Sequence, residues 1–497
     1  MTKQKNDHPQ RKHAIVIGGS MAGMFAARVL TDYYQQVTIL DRDQFPETPD
    51  HRSGVPQSQH AHALLAKGQQ IVEGHFPGIT AELLAKGGAP ATGGSIVVIT
   101  PYGKLAGSET GNASQESVDS NPLENRNNAD TGVFASRIML EWQIREHLRK
   151  HTNVKILSGV EVTELIASPD NSQVTGVRLR RRGADSRSRP EQLNADLVVD
   201  ASGRRSKAPE WLTDLGYGAP PEETINSQIG YASRFYRKPA NFPASWQGLI
   251  INARVPDNPR AGLILPIEND MWHVTVGGFA GHYPPSDEEG FMAWAKALPD
   301  PSLYESLLAA EPVTEIRQYR TPSNRLRHFE RLPAMPTGFV VMGDAVCAFN
   351  PIYGQGMTTS AVGSLVLKEA LAADVQQPQP DFEKRFQQSL AQAVADAWFI
   401  ATSEDLRWAG VELSGATPSR LPALMRPYMN QLLKAARHDA TISAAYFEMI
   451  NMVRRPQSLF QPAIMIRVLR SVFQSQSVET EEYALTHRQR LQLMTAQ

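Results

Sequence analysis

Two glycine-rich stretches hold the residue types whose spacing could do chemistry. Gly18-Gly19-Ser20-Met21-Ala22-Gly23 has the form of a turn that cradles a pyrophosphate. Gly18 suits the tight turn, Gly23 lets helix and strand come close, and a helix start offers free N–H groups and a positive dipole end to phosphate oxygens. Ser20 stands where the pattern wants a middle glycine, so a phosphate would stand off slightly or meet the hydroxyl. Asp41, further along, is an acid placed to accept hydrogen bonds from ribose hydroxyls. The second stretch, Gly343-Asp344-Ala345 followed by Pro351-Ile352-Tyr353-Gly354-Gln355-Gly356-Met357, again sets an acid and open backbone ahead of a helix. On its own each stretch could be a turn that binds nothing, so the flanking elements decide.

Those elements fit. Ala14-Ile15-Val16-Ile17 is an all-apolar run suited to a strand buried on both faces, residues 21–34 read as a helix, and Val37-Thr38-Ile39-Leu40 as a second strand ending at Asp41. Together they predict a βαβ unit. A helix is predicted over 136–150 and strands over 154–166, 174–182 and 194–200, with the basic run Arg178 to Arg189 at a solvated hairpin tip. Residues 107–132 are Ser, Asn, Glu, Asp and Gly with almost nothing apolar, which predicts a mobile surface loop. Between 227 and 282 the text turns β-rich, with Tyr231, Phe235, Leu249, Ile251, Leu263, Leu265 and Trp272 as its apolar inward candidates. A strand at 339–342 precedes the second glycine turn and a helix at 357–374. From 381 the text is helical, and residues 465, 466, 468, 469, 472 and 473 form an apolar stripe expected to pack on its own domain rather than on a membrane.

Composition narrows the class. At 497 residues and roughly 150 per domain, two or three domains are expected. Fifty Lys and Arg against 51 Asp and Glu give a net charge of −1, without the basic field of a nucleic-acid binder. The single cysteine, Cys347, cannot form an internal disulfide or the thiol pair of a flavin disulfide reductase. The polar first residues lack a signal peptide's apolar run, and no stretch of about 18 apolar residues suggests an integral membrane span. The expectation is a cytoplasmic protein.

Asp196-Leu197-Val198-Val199-Asp200-Ala201-Ser202-Gly203-Arg204-Arg205-Ser206 and the Gly343 to Met357 segment resemble the DG and GD motifs of single-component FAD-dependent monooxygenases with the p-hydroxybenzoate hydroxylase fold. Arg52-Ser53-Gly54-Val55-Pro56-Gln57 with His60 and His62 is similar to the bacterial polyketide epoxidase and hydroxylase branch. The resemblance spans about residues 13–375 and implies an α/β fold: a Rossmann-like FAD-binding domain with a parallel sheet, an inserted antiparallel-sheet substrate domain and a C-terminal helical region. It divides the chain into a flexible tail at 1–12, a discontinuous FAD-binding domain at 13–85, 130–207 and 335–375, a substrate domain at 86–129 and 208–334, and helices over 376–497.

It also implies that Gly18, Ser20, Gly23, Asp41, Arg42, Arg52, Arg137, Asp344, Pro351, Gly354, Gln355, Gly356 and Met357 face the cofactor. Asp344 would hold a ribityl hydroxyl, while the helix starting near Met357 would turn its amides toward the flavin N1–C2 carbonyl and stabilise negative charge there. Tyr353 would stand beside the ring, either shaping the substrate cavity or only packing. His60 and His62 lack a third metal ligand and are expected to be structural or to hydrogen-bond on the cofactor side; no metal is expected. Cys347 is expected to be a buried small hydrophobe.

The implied reaction uses O2 and NAD(P)H, or a separate reductase, to form a flavin C4a-hydroperoxide that epoxidises or hydroxylates a lipophilic small molecule, in secondary metabolism. No second glycine fingerprint marks an NADPH domain. A halogenase should carry Trp-x-Trp-x-Ile-Pro, and no such run occurs. An isoprenoid-type FAD reductase and a non-catalytic flavin-binding protein remain as alternatives.

Overall fold

The computed structural model describes residues 11–91, 95–107, 132–183, 190–244, 246–320, 323–417 and 419–473. At its centre is a five-stranded, all-parallel sheet in the order Phe339–Val341, Leu197–Asp200, Arg11–Ile17, Tyr34–Asp41, Val154–Ser158. Strands buried on both faces need continuous apolar text, and Ala14, Ile15, Val16, Val37, Val198 and Val199 have no exposed surface. The helices Met21–Leu30 and Gly356–Gln376 share this core, as does a three-stranded antiparallel sheet, Glu191–Asn194, Val174–Arg181 and Val160–Ala167. Each fully buried Ile, Val or Phe here contributes about 1.5–3 kcal/mol.

A larger mixed sheet runs Gly230–Arg237, Met271–Gly278, Arg260–Ile267, Gly248–Ile251, Ile96–Thr100. The last two strands are parallel and the others antiparallel. Its register corrects the reading of one inward face. Leu249, Ile251 and Trp272 join Val274 and Val276 on the side packed against Phe291 and Leu303. Tyr231, Phe235, Leu263 and Leu265 lie on the opposite side, because strand neighbours alternate.

The first strand starts at Arg11, inside the segment read as a tail. Arg11 pairs with Asp374, and Asp196 accepts from the backbone of Lys12 and His13 at 2.7 and 2.9 Å. In the loop read over 107–132, residues 108–131 lie outside the described residues, as do 184–189 of the basic run. Gly132–Phe134 forms a short strand against Ala89–Ala91.

The tail is helical over Phe382–Asp405, Leu421–Ala435, Ala440–Ile450 and Pro462–Phe473, with one departure. Glu412–Ser414 is a strand that pairs with Glu222–Asn226 at the edge of a four-stranded sheet. Of the stripe read on the last helix, Val468 is buried, joined by Ile464 from outside it, whereas Met465, Ile466, Leu469 and Val472 are exposed. Among the described residues no helix is long and apolar enough to cross a membrane.

Candidate flavin site

The first glycine turn connects the strand Arg11–Ile17 to the helix Met21–Leu30 and is fixed by its own packing. Gly18 has φ +98°, and a Cβ there would meet the Ala201 carbonyl oxygen at 2.5 Å. A Cβ on Gly23 would stand 1.8 Å from the Gly18 carbonyl oxygen. Asp41 turns back onto this turn: its Oδ2 accepts from Gly19 N at 2.6 Å and its Oδ1 from Asp43 N at 2.8 Å.

Arg52 closes a buried charge cluster around that point. Its guanidinium lies 2.9 Å from Asp43, 3.4 Å from Asp41 and 2.7 Å from Glu141. Burial alone would lower the Arg52 pKa, but Glu141 and Asp41 outweigh it and raise it. Burial likewise works to raise Glu141, yet Arg52 and Arg137 hold it below the ordinary carboxylate range. Asp41 keeps a raised pKa because burial outweighs Arg52. Arg137 Nη2 donates to Ser20 Oγ at 2.8 Å, and Ser20 Oγ donates to Glu141 Oε2 at 3.0 Å. Ser20, Asp41, Arg52 and Arg137 therefore meet at one place. Arg42 does not join them: its side chain is exposed, and its backbone carbonyl accepts from Arg182.

The second turn is different. Asp344 follows the strand Phe339–Val341, and its carboxylate accepts no hydrogen bond from any described residue. Burial raises its pKa, while Arg204, Arg137 and Arg325 pull the other way. Pro351–Tyr353 forms a single 3-10 turn, Gly354 takes φ +65°, and Gln355 precedes the helix Gly356–Gln376. Gln355 is buried, yet its Oε1 has no partner among the described residues. Around Gly356 a Cβ would find only Asp344 Oδ1 within 4 Å, at 3.9 Å. The chain's own packing therefore leaves room there. An unpaired acid, an unpartnered buried amide oxygen, the unpartnered Nε of Arg137 and open space at a helix N-terminus fit a polar, ring-bearing dinucleotide such as FAD. Met357 lines a cavity with His62, Ala63, Leu64 and Val133 beside this turn.

The histidines are held by the protein itself. His60 Nδ1 bonds to Ser233 Oγ at 2.9 Å and His62 Nδ1 to the His60 carbonyl at 2.7 Å. Burial lowers their pKa values to about 4 and about 3. Burial also raises the Cys347 thiol far above its usual value, which makes it a poor nucleophile. Tyr353 turns its hydroxyl to Asp405 at 2.5 Å. Tyr231 belongs to a buried cluster of the large sheet against which Ile352 of the second turn packs.

Several residues of this site escaped the sequence reading. Glu141 was legible as an acid one helical turn after Arg137. Arg204 donates to the Phe349 carbonyl at 2.6 Å and the Ser323 carbonyl at 2.9 Å, tying the Asp200 segment to the second turn. Asp43, Ser233, Thr275 and Asp405 carried no local signal.

A Rossmann-like parallel sheet with a pyrophosphate turn, a second acid-bearing turn and a large mixed sheet beside it define the class of FAD-dependent oxidoreductases. Residues 11–395 match the FAD binding domain family model, and the chain belongs to that family. It is 32% identical to Protein Rv3254 of Mycobacterium tuberculosis (strain ATCC 25618 / H37Rv) over 450 residues, 89% of this chain and 90% of that one. Its fold is similar to a flavin-dependent brominase, with TM-score 0.61, 15% identity, and coverage of 93% of this chain and all of that one. It is also similar to p-nitrophenol 4-monooxygenase PnpA from Pseudomonas putida DLL-E4, with TM-score 0.57, 15% identity, and coverage of 89% and 98%.

Proposed function

We propose that this flavoprotein is a monooxygenase acting on a lipophilic small molecule that carries at least one oxygen function. In this reading Gly18, Ser20, Gly23, Asp41, Arg52 and Arg137 hold the adenosine and pyrophosphate half of FAD. Asp344, Pro351, Gly354, Gln355, Gly356 and Met357 hold the flavin half. Bound FAD would supply the oxygen activation, with electrons from NAD(P)H or a separate reductase, and the protein would work in the cytoplasm. The chain's own task is to bind, orient and exclude water.

The observation that carries the substrate class is one row of side chains across the large sheet. Ser233, Thr275, Leu263, Ile250 and Val98 are cross-strand neighbours and so share a face. The row is polar at one end, where Ser233 Oγ and Thr275 Oγ1 lie 2.7 Å apart and His60 joins them. It is apolar at the other, where Val98 and Ile250 pack with the helices Leu421–Ala435 and Ala440–Ile450. Tyr231, on the same face, is 4% exposed and its hydroxyl has no partner among the described residues. Burial raises its pKa, so it would act as a donor to a substrate oxygen. Among the described residues no paired acid and base faces this row, which favours epoxidation or hydroxylation of an electron-rich centre placed over the ring.

Incubation with NAD(P)H, 18O2 and a panel of phenols and polyenes, followed by mass spectrometry, tests this. One labelled oxygen in the product is expected. Anaerobic reduction of a double bond without label would instead mark a reductase, and FAD that never turns over would mark a binding protein.

A further inference from the structure

Asp405 ends the helix Phe382–Asp405 and has no exposed surface. Its Oδ1 accepts from the Tyr353 hydroxyl at 2.5 Å and its Oδ2 from Asn324 Nδ2 at 2.5 Å. Asn324 Oδ1 accepts from Asn350 N at 2.5 Å, and Asn350 Oδ1 from Ile352 N at 3.4 Å. Asn324 and Asn350 are themselves buried. One carboxylate in the tail thus grips the turn 350–356 at two points, through Tyr353 and through Asn324.

Its position is unfavourable by itself. A carboxylate at the C-terminal end of a helix meets the negative end of the dipole, and its burial is costly unless it is hydrogen-bonded. The groups facing it are Tyr353, Ser227, Asn324 and the neighbouring Glu404, and burial above all lifts it to about 6. A leucine would fill the space without that cost, so the acid's contribution lies in the hydrogen bonds it makes to the turn.

We propose that Asp405 is a positioning residue that fixes the Asn350–Gly356 turn against the flavin ring, acting through Tyr353 and Asn324. This rests on the reading that the turn borders the flavin. The tail is then part of the cofactor site at a distance: it sets where the backbone of Gly354 and Gly356 stands.

The test uses the full chain loaded with FAD. Asp405→Asn and Tyr353→Phe should each weaken FAD roughly ten-fold, the scale of one lost hydrogen bond to a charged group. Each should also shift the visible flavin spectrum. The double variant should lose no more than the worse single one, since both break one chain of contacts. The wild-type flavin spectrum should change as pH crosses about 6, and that change should vanish in Asp405→Asn. Hydrogen exchange of the 350–356 amides reads the turn apart from the ligand. Unchanged exchange in both folded variants would overturn the role of Asp405. Faster exchange with an unaltered flavin spectrum and affinity would instead overturn the placing of this turn at the ring.

Discussion

The two glycine turns answer to different masters. At the first, Gly18 and Gly23 are demanded by neighbouring backbone, and the charges of Asp41, Asp43, Arg52 and Glu141 are satisfied within the chain. At the second, Gly356 has room beside it, and among the described residues the Asp344 carboxylate accepts no hydrogen bond and the Gln355 oxygen is unpartnered. The first turn is held together by the fold itself; the second keeps space and polar groups that bound FAD would complete. Substitutions should therefore separate stability from binding.

The largest effect is expected from Arg52→Ala, which leaves three acids buried without their shared cation. Breaking such a cluster costs about 3–5 kcal/mol, read as a lowered urea midpoint even without FAD. A stability loss below about 1 kcal/mol would break the comparison at its strong end. Gly23→Ala comes next, with overpacking of about 1–3 kcal/mol and loss of FAD together, measured by the same unfolding curves and by flavin absorbance.

At the second turn the signs part. Asp344→Ala should lower FAD affinity by about 1.5–3 kcal/mol through a lost hydrogen bond to a charged group, while the unfolding midpoint of the FAD-free protein holds or rises. Gly356→Ala should also weaken FAD with folding stability changed by under about 1 kcal/mol. Titration of FAD against both variants, set beside their unfolding curves, checks this; equal losses in both measurements would erase the distinction.

A separate, pH-dependent effect belongs to the substrate side. His60, His62 and His273 are held neutral by burial, with pKa values lowered to about 4, about 3 and about 3. Lowered values mean that their stabilisation is complete above the ordinary histidine pKa of about 6.5 and is lost as pH falls toward 4. Each unprotonated histidine contributes up to ~1.4 kcal/mol of lost stability per pH unit in that window. Unfolding midpoints at pH 7 and pH 5 should show the decline, and Tyr231→Phe should leave it unchanged while raising KM.

What was legible in the sequence was local. The parallel strands announced themselves because strands buried on both faces admit only apolar residues, and the turns because glycine spacing is set by backbone contact. The Arg137–Glu141 pair was readable on the same ground, one helical turn apart. The face of the large sheet was not, because period-two alternation is ambiguous when both sides are covered: Leu249 and Trp272 look like Leu263 until register separates them. Tyr353 was left between cavity and packing because its partner, Asp405, lies 52 positions along the chain. The apolar stripe of Pro462–Phe473 misled for a related reason, since its helix is apolar on both sides and only the tertiary contacts choose Ile464 and Val468.

The short strand Glu412–Ser414 has a practical meaning for anyone trimming this protein. It covers the Glu222–Asn226 edge of the four-stranded sheet, and Glu412 also accepts from Asn226 Nδ2 and Gln228 Nε2 at 2.8 and 2.9 Å. Ending the chain before it would bare a row of backbone donors and acceptors, an invitation for a second molecule to add its own strand. Truncation at that point should yield self-associating protein rather than a smaller enzyme.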